Sequence, residues 1–129
     1  MKPAAALAVG QHILADLHGV EPRLLRDATA MEGLLREAAC AAGARVLGSH
    51  FHSFGLEGGV TGVVLLAESH ISVHTWPESM FAAADIFMCG AADAERALAL
   101  LLRALAPARH GIQTAARGVL LTGQVLSPG

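Results

Sequence analysis

From Leu24 onward, apolar residues recur at positions 24, 28, 31, 35 and 38, with Ala42 next. This is the period of one helix face. Glu21, Arg23, Arg26, Asp27, Glu32, Arg36 and Glu37 fall on the other faces. Pro22 suits the first turn of such a helix and Gly43 suits its end. A second helical stripe runs through 94, 98, 101 and 105, between Asp93 and Pro107.

The other apolar runs alternate with polar positions or are rich in β-branched residues. Strands are expected at 10–18, 45–54, 60–67, 70–76, 82–89 and 110–122, the last broken near Gly118. Residues 1–8 read as a tail leading into the first strand. Within 70–76, His70, Ser72, His74 and Trp76 share one face, and Ile71, Val73 and Thr75 share the other. His50 and His52 likewise lie opposite Phe51. Pro77 limits the 70–76 strand, and GLEGG at 55–59 reads as a flexible turn.

The expected order is β-α-β-β-β-α-β in one domain spanning 1–129. The fold class is α/β of the α+β type. It is a two-layer sandwich, with a mostly antiparallel sheet and both helices on one face. The opposite face then needs cover, and a second subunit supplies it most simply.

Composition narrows the partners. Apolar residues make up 53% of the chain but aromatics only 4%, so Ala, Leu and Val dominate. So apolar a chain of 129 residues points again to a covered surface. A net charge of -2 and the lack of any basic run argue against nucleic-acid binding. No stretch reaches the roughly 18 apolar residues of a membrane span. The apolar run 4–9 is short for a secretory leader. Two cysteines are too few for a disulfide framework, so a reduced, cytoplasmic protein is expected.

Polar residues concentrate between His50 and Gly90. This segment holds His50, His52, His70, His74, Ser69, Ser72, Asp85 and Cys89 among apolar neighbours. Buried polar groups are costly unless paired or used. Ser69 is either a turn hydroxyl bonding backbone or a nucleophile toward a carbonyl. Cys89 is either a small buried hydrophobe or a thiol suited to proton transfer. Cys40, in an Ala-rich helix end, reads as a packing residue. His50, His52, His70 and His74 also permit a metal site. Phe54, Trp76 and Glu78 suit a flat organic ligand carrying hydroxyls, although core and surface roles would explain them too.

The stretch ESHISVHTWPE at 68–78, followed by DIFMCG, resembles the short, prokaryotic form of S-adenosylmethionine decarboxylase. Gly10 with His12, FHSF at 51–54, GGVTG at 58–62 and the Arg117-Gly118 pair extend the likeness over roughly residues 8–120. That family is pyruvoyl-dependent and is made as a proenzyme. The resemblance implies self-cleavage at Glu68-Ser69, giving a β chain of 1–68 and an α chain of 69–129. Ser69 attacks the Glu68 carbonyl, and its residue ends as a pyruvoyl group, which takes the substrate amine as a Schiff base. His74 matches the processing histidine. Thr61 stands where the family commonly has serine, keeping the hydroxyl and adding a methyl. Cys89 matches the catalytic proton donor. Phe54, Trp76 and Glu78 match substrate-binding positions.

The implied activity is decarboxylation of S-adenosylmethionine to the aminopropyl donor of spermidine synthesis, by a homodimer. Two alternatives stay open at this point. One is a pyruvoyl-dependent arginine or ornithine decarboxylase on the same fold. The other is a histidine-cluster metal-binding protein.

Overall fold

The computed structural model describes residues 8–118. In chain order the elements are β1 (Gly10–His18), α1 (Pro22–Leu25), α2 (Ala28–Ala41), β2 (Val46–Ser53), β3 (Val60–Leu66), β4 (Ser69–Trp76), β5 (Phe81–Cys89), α3 (Ala94–Leu105) and β6 (Arg109–Arg117). A 3-10 turn over Pro77–Ser79 follows β4, as the proline there required. The strands form one six-stranded sheet in the order β2-β3-β4-β5-β1-β6. Every neighbouring pair is antiparallel.

Four strands lie between α2 and α3, at the four spans expected between 45 and 89, although the order β-α-β-β-β-α-β counts only three there. The reversal between 60–67 and 70–76 is tight. Leu66 pairs directly with Ser69, so Ala67 and Glu68 alone make the turn. Glu68 adopts φ 61, a left-handed conformation that such turns usually give to glycine or asparagine.

The helical stretch beginning at Pro22 is also two helices rather than one. Asp27 caps the second, its carboxylate accepting a hydrogen bond from the Ala30 N–H at 2.9 Å. That cap gives the first turn of α2 a partner for an otherwise orphaned donor. Asp93 caps α3 in the same way through the Glu95 N–H. The sixth strand is found at Arg109–Arg117, and the expected continuation to 122 lies outside the described residues.

Alternation sorts the sheet into two unlike faces. Ile13, Ala15 and Leu17 of β1, Ile71 and Val73 of β4, and Ala82, Ile86 and Met88 of β5 are buried. They pack against Met31, Leu35 and Ala38 of α2 and Leu98, Leu101 and Leu105 of α3. Burying each large side chain contributes roughly 1.5–3 kcal/mol. Cys40 does not share this core; it is exposed on α2.

Thr75 is the buried polar residue of this face. Its hydroxyl accepts from the Val60 N–H at 2.8 Å and donates to the Leu25 carbonyl at 2.7 Å. The group thereby fastens β4 to the start of β3 and to α1. The opposite sheet face carries Leu14, Leu65 and Trp76 exposed, with histidines and Asp85 between them.

Candidate active site

The open face of β4 presents the polar row read from the alternation. Register places His70 between Leu65 and Phe87, Ser72 between Val63 and Asp85, and His74 between Thr61 and Ala83. Trp76 lies opposite Phe81. The expected site residues therefore divide between the two ends of one strand.

The first group surrounds the β3–β4 turn. Glu68 holds its positive φ immediately before Ser69. The Ser69 hydroxyl accepts a hydrogen bond from the Cys89 backbone N–H at 3.1 Å. Cys89 is half-buried, and its thiol is free. Gly10, paired with Cys89 across β1 and β5, leaves room beside that sulfur. A Cβ at Gly10 would stand 3.0 Å from Cys89 Sγ and 2.9 Å from the Phe87 ring.

Next to this group lies a hydrogen-bond hub. Asp85 Oδ2 accepts from His12 Nε2 at 2.6 Å and from His70 Nε2 at 2.9 Å. Ser72 Oγ–H donates to Asp85 Oδ1. Arg117 donates to His12 Nδ1 at 3.0 Å, so the proton of that imidazole sits on Nε2 and points at Asp85. Burial works to raise the pKa of Asp85. The hydrogen bonds from Ser72, His12 and His70 outweigh it and hold the carboxyl below its ordinary value.

The second group occupies the other end of β4. Thr61 Oγ1 lies 3.1 Å from His74 Nδ1. Trp76 stacks on Phe81, with centroids 5.4 Å apart and planes at 24°. A cleft of about 690 Å³ is lined by Phe54, Glu57, Gly58, Gly59, Thr61, His74, Trp76 and Glu78. Phe54 and Trp76 remain exposed at its walls. The three expected ligand-binding residues thus meet in one hollow, together with the expected processing pair.

The two groups do not meet each other within one chain. Five residue steps at about 3.3 Å put Ser69 and His74 roughly 16 Å apart along β4. The four-histidine alternative does not assemble either. His50 and His52 are on β2, which β3 separates from β4 by two strand spacings, about 10 Å. Among the described residues, the set close enough to share an ion is His12, His70 and Asp85, with ligand atoms within 4.8 Å. Arg117 disfavours that use, because it occupies the His12 nitrogen that must carry the proton when Nε2 binds metal.

Sequence reasoning left Asp85 and His12 without roles and overlooked Glu57. An aspartate in the alternation between Ala83 and Phe87 was a usable signal. Its partner His12, 73 residues away in the chain, was not.

Comparison with known proteins bears on the family and the fold. Residues 11–118 match the family model described as S-adenosylmethionine decarboxylase. An S-adenosylmethionine decarboxylase proenzyme of Persephonella marina is 44% identical over 113 residues, covering 87% of this chain and 84% of that one. The crystal structure of the adenosylmethionine decarboxylase from Aquifex aeolicus superposes with a TM-score of 0.80 at 38% identity, covering 92% of this chain and 98% of that one. A Trypanosoma brucei AdoMetDC monomer shares the fold at 14% identity, with a TM-score of 0.62 over 84% of this chain and 48% of that one. With a family match across 11–118 and a relative 44% identical over most of both chains, the chain belongs to the S-adenosylmethionine decarboxylase family of carboxy-lyases.

Proposed function

We propose that this protein cleaves itself at Glu68-Ser69 and then decarboxylates S-adenosylmethionine. The observation that carries the reading is the local geometry of that bond in a chain of this family. Glu68 sits in a left-handed turn, and the following hydroxyl is held by the Cys89 N–H. A non-glycine residue in this conformation stores backbone strain at the bond to be broken.

Ser69 Oγ bonds to the Glu68 carbonyl carbon, and the C–N bond breaks, leaving an ester and an amine. Loss of the Ser69 α proton then breaks Cβ–Oγ and frees Glu68 as a carboxylate. Water replaces the nitrogen of the unsaturated residue, ammonia leaves, and a pyruvoyl group heads the chain 69–129. The residues present fit that group: the serine that must become it lies at a strand end, and Gly10 leaves the space beside it clear. When formed, the ketone supplies the electron sink that lets an α-amino acid lose carbon dioxide.

This chain's other residues supply position and protons. Cys89, next to Ser69, delivers a proton to the substrate's α carbon. Phe54 and Trp76 take the adenine ring, and Glu78 accepts the ribose hydroxyls. The aromatic faces also favour the cationic sulfur. Thr61 and His74 serve the elimination that completes self-cleavage.

Those roles require the two ends of β4 to meet. A second copy placed antiparallel on the open face does this, since a two-fold axis sets one end against the other twice. The same contact covers Leu14 and Leu65. The product is the aminopropyl donor for spermidine synthesis in the cytoplasm. No described helix is long and apolar enough to cross a membrane.

Intact mass under denaturing conditions tests the reading. Two fragments are expected, the lighter one, 69–129, carrying a blocked N-terminus, and S69A should stay whole. Carbon dioxide release should occur with S-adenosylmethionine and not with arginine or ornithine. A single uncut species from the wild-type chain would overturn self-processing.

A further inference from the structure

We propose that Asp85 is a positioning residue that holds the new end of β4 in place once the Glu68-Ser69 bond is broken. The inference rests on the cleavage reading above and concerns what keeps the cut end usable.

Before cleavage, the Ala67-Glu68 turn holds β4 in register with β3 covalently. After cleavage, residue 69 is a chain terminus, and termini fray unless tied down. The tie at residue 69 itself is the Cys89 N–H to Ser69 Oγ bond at 3.1 Å. Self-processing removes that oxygen, because Cβ–Oγ is the bond that breaks. The tether is therefore lost in the reaction that creates the need for it.

The next side-chain ties belong to Asp85. His70 Nε2–H donates to Oδ2 at 2.9 Å, one residue from the new end. Ser72 Oγ–H donates to Oδ1, three residues from it. Both oxygens of one carboxylate thus hold the first turns of the pleat against β5. The carboxylate is in turn fixed from β1 by His12 at 2.6 Å, whose other nitrogen Arg117 occupies at 3.0 Å. Phe87 flanks the His12 and His70 rings at 5.4 and 5.9 Å between centroids, which limits their rotation. His12, His70, Ser72, Asp85 and Phe87 are half-buried, and Arg117 closes the chain of contacts from the exposed side.

An anchor differs from a general structural contact in being needed only after the cut. Amide hydrogen exchange over 70–73 should therefore be compared for Asp85→Asn in two backgrounds. In processed protein the substitution should speed exchange there by about tenfold. In the uncut S69A background the same substitution should leave exchange within about twofold. Self-cleavage of D85N should still reach completion, while kcat falls by roughly 10- to 100-fold with KM little changed. His70→Phe keeps a ring beside Phe87 but cannot donate, and it should reproduce the pattern if D85N folds poorly. Equal exchange changes in cut and uncut backgrounds, or a full kcat in both variants, would overturn the anchor. An uncut wild-type chain on intact mass would sink the cleavage reading instead, and the anchor with it.

Discussion

Thr61 Oγ1 and His74 Nδ1 face each other at 3.1 Å across the β3–β4 pair. The two residues are 13 positions apart and directly opposite in register. A hydroxyl in this place can hold the imidazole in one orientation while it moves a proton. Thr61→Ala should slow self-cleavage by about tenfold, and Thr61→Ser should cleave at least as fast as the native chain. A time course of intact mass on freshly folded protein reads both rates. Stability should change by less than about 1 kcal/mol for either, since the site is half-buried.

The separation of Ser69 from His74 leads to a complementation result. S69A lacks the reactive end and W76A lacks the aromatic cleft wall. Each alone should be inactive or nearly so. Co-expressed so that both fold before cutting, they should regain about a quarter of native activity, because half of the proposed dimers are mixed and each mixed dimer has one intact site. Decarboxylation assays on the co-expressed protein decide this. No recovery above the separate variants would mean that a single chain builds the site.

Gly10 is a close-approach position. Adding a methyl there brings it to 3.0 Å from Cys89 Sγ and 2.9 Å from the Phe87 ring, with the Met88 carbonyl at 2.8 Å. Gly10→Ala should displace the thiol and lower kcat by roughly 10-fold or more. The fold should survive at a cost of about 1–3 kcal/mol from overpacking. Steady-state kinetics with a parallel thermal melt separates the two effects.

Thr75→Val keeps the shape of a buried side chain but removes its hydroxyl. The Val60 N–H and the Leu25 carbonyl both lose their partner. Leaving buried groups unpaired costs roughly 1–3 kcal/mol each way it is measured. Urea unfolding should show a lower midpoint with an unchanged slope.

Asp85 sets an acid limit. Its carboxyl is held below the ordinary value of 3.8 in the folded protein. A depressed folded pKa contributes stability above the unfolded value and loses it as pH falls through the folded one. Native stability should therefore drop in acid below about pH 4, and D85N should lack that component of the slope. Unfolding curves from pH 7 to 2.5 should converge at the acid end.

The faces of the strands were legible because alternation is a local property. His70, Ser72, His74 and Trp76 stand where period two puts them. The same geometry explains what was missed. Residues 69 and 74 are near in sequence, but an extended strand turns five steps into a long distance. The Ala67-Glu68 reversal carries no glycine, so it was legible only from the change of pattern between 60–67 and 70–76. The hub at Asp85 joins β1, β4, β5 and β6, and no local pattern reports which distant strands become neighbours. The cap at Asp27 was visible as an aspartate before a helical stretch, yet the apolar stripe running past it suggested continuity.

The strand order has a consequence for the proposed cut. Residues 1–68 contain β1, β2 and β3, and residues 69–129 contain β4, β5 and β6. In the sheet, however, β1 lies between β5 and β6. The fragment 69–129 therefore grips its sister along both edges of one strand. Severing one peptide bond opens no route for escape, since three antiparallel ladders, β3–β4, β5–β1 and β1–β6, must unzip before the pieces part. The proposed reaction therefore requires folding to precede cutting. A chain cut first would have to find its other half by collision and thread β1 between two strands already competing to pair with each other.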